Sequence, residues 1–147
     1  MLRVQSIEEK DAADIAALER AIFPDPWSFD SILDTCSQRN TILLGAWMGE
    51  QMAGYVIVYY VLDEGEIARI AVDAPLRRQG VAGRLLRELE TVCREKKIGR
   101  LMLEVRESNA SALAFYKDYG FSKDGLRRDY YTNPKENALL MSRFLGR

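Results

Sequence analysis

The sequence contains no histidine. That single absence removes serine–histidine and cysteine–histidine catalysis, and with them the usual zinc ligand sets, so no metal site is expected. Proton transfer must then fall to carboxylates, tyrosine, lysine, cysteine or water. Cysteine is scarce: Cys36 and Cys93 sit in separate expected helices and suggest no disulfide framework. Cys93 lies on an apolar helical face and reads as a small core residue rather than a nucleophile. An excess of either charge is also missing. Lysine and arginine number 21, aspartate and glutamate 22, for a net charge of −1, so no global field favours nucleic acid or a membrane surface. No apolar run approaches a membrane span and residues 1–10 do not read as a signal peptide, which makes a reducing cytoplasm the simplest expectation. Repeats, low-complexity tracts and linkers are absent.

What remains is the composition of a soluble globular protein. At 147 residues, 48% hydrophobic and 29% charged, the chain is expected to form one domain over residues 1–147 with a single substantial core. Leu2 and Val4 alternate with polar residues and suggest a first strand. Residues 11–23 carry Ile15, Leu18 and Ile22 on one face and stop at Pro24, as a helix does. Phe23, Pro24, Asp25, Pro26 and Trp27 make a stiff turn, with Ser28 the candidate N-cap of a short helix holding Phe29, Ile32 and Leu33. Residues 41–47 and 52–61 read as the strands of a hairpin that turns through residues 48–51. Residues 62–65 then lead the chain into the central strand.

The rest of the sequence is organised around residues 66–82, EIARIAVDAPLRRQGVA. Ile67, Ile70 and Val72 are strand formers, and Asp73, Ala74 and Pro75 break the run. Arg77, Arg78, Gln79, Gly80, Val81, Ala82 and Gly83 follow, then Leu85, Leu86 and Leu89 at helical spacing. A glycine-bearing loop that opens a helix presents unpaired N–H groups and the positive end of the helix dipole, which suits a phosphate or pyrophosphate. Gly80 and Gly83 lack a Cβ that would hold phosphates off, and Arg77, Arg78 and Arg84 add positive charge. The pattern is neither G-x-x-x-x-G-K-[ST] nor G-x-G-x-x-G. A plain helix start with solvated arginines is the competing reading of this loop taken alone.

The helix from Gly80 is expected to bury Val81, Leu85, Leu86, Leu89, Val92 and Cys93 and to end near Lys96, Lys97 and Gly99. Residues 101–106 form the next strand, with Leu101, Leu103 and Val105 facing one way and Met102, Glu104 and Arg106 the other. Strand, helix, strand implies a parallel crossover. Residues 109–119 read as a helix capped at Ser108 or Asn109 and ended by Gly120. A strand from Phe121, a tyrosine-bearing loop and an apolar run over residues 138–144 complete an α/β chain with a mixed sheet. Asn109 and Tyr116 are two helical turns apart, hence on one face. Glu104 lies at the carboxyl end of its strand, the edge at which open α/β sheets bind ligands. One carboxylate, one phenol and one amide therefore converge beside a phosphate-binding loop. Singly, these three residues have bland readings: a solvated strand residue, a core tyrosine, a helix cap.

Two motifs carry a family resemblance. R-x-x-G-x-A at residues 77–82, after a strand, resembles the coenzyme A pyrophosphate loop of the GNAT N-acetyltransferases. L-E-V-R-x-S-N-x-x-A-x-x-x-Y-x-x-x-G-F, matched over residues 103–121, is similar to the ribosomal-protein-alanine N-acetyltransferase (RimI-type) branch of that family. So are IAVD before RRQG, the stretch FPDPWS at residues 23–28, and RDYY at residues 128–131. The resemblance spans nearly the whole chain. It implies a mixed sheet splayed at its middle, helices on both faces and acetyl-CoA in the gap. It further implies that backbone at Ile70, Ala71 and Val72 pairs with the pantetheine and acetyl group. Amides of Arg78, Gln79, Gly80, Val81, Ala82 and Gly83 would hold the pyrophosphate, and Asn109 would contact the cofactor. Glu104 becomes the proton acceptor and Tyr116 the proton donor, while Trp27, Tyr130 and Tyr131 line a peptide groove. The loop departs from many members at Ala82, where glycine is common, and the tail departs at Asn137, where aspartate is common.

The implied reaction is acetyl transfer, by direct attack, to the N-terminal α-amine of a small-subunit ribosomal protein, at alanine in this branch. Another protein N-terminus, a lysine or a small amine keeps the chemistry and changes the acceptor. A non-catalytic acetyl-CoA-binding module would need neither Glu104 nor Tyr116, and a ribosome-binding structural protein would need a basic patch that the sequence does not show.

Overall fold

The computed structural model describes residues 1–146 and shows why these elements form where they do. β1 (Leu2–Ser6) leads through a short 3-10 turn into α1 (Ala12–Ile22), which ends ahead of Pro24. α2 (Phe29–Ser37) begins at Ser28, whose hydroxyl oxygen accepts from the Ser31 N–H at 3.1 Å, a cap worth about 1 kcal/mol. β2 (Thr41–Met48) and β3 (Gln51–Val61) form the expected hairpin, and β4 (Glu64–Val72) follows after a two-residue turn. α3 (Val81–Glu95) is followed by β5 (Arg100–Arg106), α4 (Ala110–Asp118), β6 (Ser122–Thr132) and β7 (Lys135–Phe144). All seven strands lie in one sheet of order β1-β2-β3-β4-β5-β7-β6, antiparallel except for the β4–β5 pair. The parallel crossover through α3 is therefore present, and the fold is the splayed mixed α/β sheet expected.

The splay has a local cause. Along β4, Ile67 faces Val58 and Arg69 faces Ile57, so Ala68 is an extra residue without a β3 partner. Such a bulge bends its strand and tightens the local twist. β4 pairs with β5 from Glu64 and Arg100 only as far as Ile67 and Leu103, the last pair before the bulge. Beyond that point residues 68–72 of β4 and 104–106 of β5 diverge, while β5 stays paired to β7 up to Arg106 and Ala138.

Apolar side chains are buried on both faces, in two clusters rather than the single core expected. Under α3 and α4 lie Leu44, Val56, Val58, Leu85, Leu89, Leu103 and Tyr116, among others. Under α1 and α2 lie Ile15, Ile32, Trp47, Tyr55 and Ile57. A sheet covered on both sides needs a nearly continuous apolar central strand, and residues 52–58 of β3 are buried throughout. Val92 is only half-buried, whereas the other five expected α3 core residues are buried. Tyr130 and Tyr131 lie in β6 rather than in a loop. The register slips between Arg127 and Tyr131, and Asp129 has φ +52°, so the strand is bulged where the sequence reads as a turn.

Candidate active site

The helix start comes first. Gly80 caps α3 with φ +81° and ψ 11°, and nothing lies within 4 Å of where its Cβ would be. Arg78 also has φ +65°. The left-handed conformation explains the glycine, since other residues resist it by roughly 1–2 kcal/mol, and the open space explains what the glycine leaves accessible. The first N–H groups of α3, from Val81 through Gly83, have no acceptor within the helix. Exposed Arg77 and Arg78 flank them, and the Arg77 Nε donates to the Val72 carbonyl at 3.1 Å. Unpaired donors, a helix dipole and two guanidinium groups suit a pyrophosphate. Gly83 differs from expectation. It is buried, and a Cβ there would lie 2.1 Å from the Tyr119 hydroxyl, so its missing side chain makes room for Tyr119, the C-cap of α4, rather than for a ligand.

β4 supplies the next surface. The Asp73 N–H donates to the Ala53 carbonyl at 2.8 Å. Because backbone groups alternate along an antiparallel strand, Ala71 is likewise turned to β3, while Ile70 and Val72 present their N–H and C=O to the side facing the splay. Two of the three backbone positions predicted at β4 thus face the gap.

Across the gap stands Glu104, on the face of β5 opposite Leu103 and Val105. Its side chain is 18% exposed. Oε1 accepts from the Tyr130 hydroxyl at 3.4 Å, and the Arg127 Nε is 3.9 Å from Oε2. Oε2 is buried and accepts no hydrogen bond, which leaves a carboxylate oxygen with unused acceptor capacity. Tyr116 comes from α4 on the other face. Its ring packs edge-on against Phe115 and Phe121 at 5.4 and 5.5 Å, and the residue is 7% exposed. Burial first, and then the neighbouring Tyr131, raise its phenol above the ordinary tyrosine range. Tyr131 is pushed up to about 12 by burial and then by Glu104, and burial and Glu104 also raise Tyr130. The two rings stack edge-on at 5.1 Å, and the Arg106 guanidinium lies 4.3 Å from the Tyr131 ring centre. Glu104, Tyr130 and Tyr131 are therefore brought together, and Tyr116 is linked to them through Tyr131.

Asn109 is not part of that cluster. It is exposed at the start of α4, where its Oδ1 accepts from the Ala112 N–H at 3.1 Å and from the Ser111 hydroxyl at 3.3 Å. The helix-cap reading holds for its carbonyl oxygen. Asn137 secures the tyrosine hairpin: Oδ1 accepts from the Asp129 N–H at 2.9 Å, and Nδ2 donates to Glu107 Oε1 at 3.2 Å. An aspartate could not make the second bond. Glu136 accepts from Arg106 Nη1 at 3.3 Å and from the Ser108 N–H at 2.5 Å. The hydrogen bonds from Ser108 hold its carboxyl below the usual range.

Trp27 lies on the α1–α2 loop and also lines a hollow of about 530 Å³ shared with Ser28, Asp34, Thr35 and Tyr59. Its N–H donates to Glu19 Oε1 at 2.8 Å. Sequence reasoning passed over Glu19, which is fully buried and held by Tyr55, Trp27 and Arg69. The signal was present: Ala12, Ile15, Ala16 and Glu19 are the buried positions of α1, a helical stripe with one carboxylate in it.

A splayed mixed sheet, a glycine-turned helix start and a carboxylate–phenol cluster at the gap define an acyl-transfer fold of the acetyltransferase class. The chain belongs to the acetyltransferase (GNAT) family, whose model matches residues 12–121, and members of this family take the acetyl group from acetyl-CoA. It is 33% identical over 144 residues to the [ribosomal protein bS18]-alanine N-acetyltransferase of Escherichia coli K12, covering 97% of both chains. It is 32% identical over 145 residues to the enzyme of that name from Haemophilus influenzae, covering 97% of this chain and 98% of the other. The crystal structure of the Escherichia coli ribosomal-protein-S18-alanine N-acetyltransferase superposes with a TM-score of 0.93 at 31% identity, over 100% of this chain and 96% of that one. The protein is an acetyltransferase. Among the described residues no helix is long and apolar enough to cross a membrane, and no three His, Cys, Asp or Glu side chains gather as a metal site.

Proposed function

We propose that the protein transfers an acetyl group from acetyl-CoA to the N-terminal α-amine of a small-subunit ribosomal protein that begins with alanine. The observation that carries this reading is the Glu104 carboxylate. It is mostly buried at the mouth of the splay, it has one oxygen without a donor, Tyr130 donates to its other oxygen, and Tyr131 lies near enough to feel its charge. The names of the bacterial relatives support the choice of acceptor.

Bound acetyl-CoA would supply the thioester carbonyl. Arg78, Gln79, Gly80, Val81, Ala82 and Gly83 would hold its pyrophosphate through backbone N–H groups, with Asn109 contacting it through its amide NH₂. The N–H and C=O of Ile70 and the N–H of Val72 would align the pantetheine, with Ala71 shaping that strand from the β3 side. An α-amine titrates near pH 8 and is mostly protonated at neutral pH. Glu104 Oε2, directly or through a water, takes one proton and leaves a nucleophilic nitrogen. The N–C bond forms, the carbonyl oxygen gains negative charge, and the Val72 N–H stabilises it. The C–S bond then breaks, the Tyr116 hydroxyl gives its proton to the departing thiolate, and the nitrogen gives up its second proton to water at the mouth of the gap as the neutral amide forms. Burial keeps that phenol protonated and also makes the phenolate costly, so solvent at the mouth of the gap restores the proton. No acyl-enzyme is required, and Cys93, buried with its thiol pushed up to about 12, is not a competing nucleophile. Trp27, Tyr130 and Tyr131 line the groove for the peptide.

The test is mass spectrometry of N-terminal peptides after incubation with acetyl-CoA. An alanine-initiated ribosomal peptide should gain one acetyl group on its α-amine. Modification of lysines or small amines alone would reassign the acceptor.

A further inference from the structure

We infer that Glu19 is the positioning residue of the acceptor groove, fixing the α1–α2 loop against the strand that holds the acetyl group. This rests on the reading of Trp27 as part of that groove. Glu19 is 0% exposed, in the core between α1 and the sheet. Every donor aimed at it comes from a different element. The Tyr55 hydroxyl on β3 donates to Oε2. The Trp27 N–H in the loop donates to Oε1 at 2.8 Å, and the Arg69 Nε on β4 does so at 3.3 Å, with Nη2 at 3.2 Å.

Arg69 then grips the same loop. Its Nη2 donates to the Asp25 carbonyl at 2.8 Å, and its guanidinium sits 3.9 Å from the Phe23 ring centre and 5.6 Å from that of Trp27. Arg69 directly follows the bulge residue Ala68 and precedes Ile70, the first β4 position whose backbone faces the gap. Residues 23–27, which have no helical or strand pairing of their own, are thereby tied by one carboxylate and one guanidinium to the cofactor strand. A buried ion pair contributes little to stability compared with well-packed apolar groups, because desolvation offsets its attraction. What such a node does well is to set direction, since charge-assisted hydrogen bonds tolerate few geometries.

A positioning role predicts a split that a purely structural role does not. In Glu19→Gln the charge for Arg69 is lost, and one oxygen is replaced by an NH₂ that faces donors. The acceptor KM should rise about tenfold or more, the scale of one charge-assisted hydrogen bond lost. The kcat at saturating acceptor and the affinity for acetyl-CoA should stay within about threefold. Tyr55→Phe removes one donor and keeps the charge, so it should show a smaller rise of the same kind, and it decides the matter should Glu19→Gln fail to fold.

The measurement is steady-state kinetics on the intact protein, with calorimetry of acetyl-CoA binding alongside. The acceptor is whichever of an alanine-initiated peptide, a lysine peptide and a polyamine the wild type uses best. Preference for the lysine peptide or polyamine overturns the acceptor proposed above, while the KM split on that amine still decides the role of Glu19. An unchanged acceptor KM in both variants, or acceptor and acetyl-CoA constants that worsen together, would overturn the inference, as would a wild type that acetylates none of the three.

Discussion

Ile67 and Leu103 are the last residues at which β4 and β5 lie side by side; one residue later Ala68 bulges and the strands part. The proposed base and the backbone proposed to hold the acetyl group lie within a few residues of that fork. Ile70 and the Val72 N–H turn free backbone groups toward it, Glu104 stands on its other bank, and the loop after β4 leads to the start of α3.

Replacing Gly80 tests the cofactor loop. Its φ of +81° and open surroundings leave no clash for a side chain but oppose any L-residue by roughly 1–2 kcal/mol. Gly80→Ala should lower the melting temperature modestly, whereas Gly80→Glu, adding bulk and a negative charge at a phosphate site, should abolish acetyl-CoA binding. Calorimetry on the folded variant checks this, and an unchanged affinity assigns the pyrophosphate elsewhere.

Tyr116→Phe removes a hydroxyl and keeps a ring packed against Phe115 and Phe121. Stability and acetyl-CoA affinity should persist while kcat falls about 10²- to 10⁴-fold, the usual contribution of a general acid. A smaller loss in single-turnover measurements would make the residue a packing element and leave thiolate protonation to water.

The same tyrosine bears on alkaline stability. Tyr55, Tyr116 and Tyr131 all have phenols raised by burial, with Tyr131 at about 12. Each is neutral in the native protein at a pH where the unfolded chain, titrating near 10, begins to lose the proton. The stability they contribute is full below about pH 10 and is lost as pH rises through the folded values. Urea midpoints should be level from pH 7 to 9 and fall beyond 10, less steeply in Tyr116→Phe. A wild-type midpoint that stays flat to pH 11 contradicts the burial of these phenols.

Asn137→Asp keeps the acceptor for the Asp129 N–H and sets a second carboxylate beside Glu107. The lost hydrogen bond and new repulsion should reduce stability by about 1 kcal/mol at low salt and by less at high salt. Denaturation at two ionic strengths reads the difference.

Much of this was legible in the sequence, and what was not has a common cause. The Ser28 cap, the stop at Pro24, the Gly80 turn and the apolar stripe of α3 depend on residues close in sequence, and the residue order carries them. The splay depends on one extra residue in β4 counted against β3, a matter of register that no single segment records. Glu19 hides for a related reason: its partners Trp27, Tyr55 and Arg69 lie 8, 36 and 50 residues away. The β6 strand was masked by Asp129, Asn133 and Pro134, turn-forming types that here serve a bulge and a tight turn. Gly83 looked like a phosphate glycine because nothing local shows that Tyr119 occupies the space beside it.

The role of Glu104 as the base is tested by kcat against pH for the wild type and Glu104→Gln on one alanine-initiated peptide. The variant should bind acetyl-CoA normally and be strongly impaired at pH 7. Its deficit should shrink as pH passes roughly 8, where the α-amine loses its proton unaided. Two parallel curves across the amine's titration would contradict the assignment and pass the role to Glu107 or to bulk water.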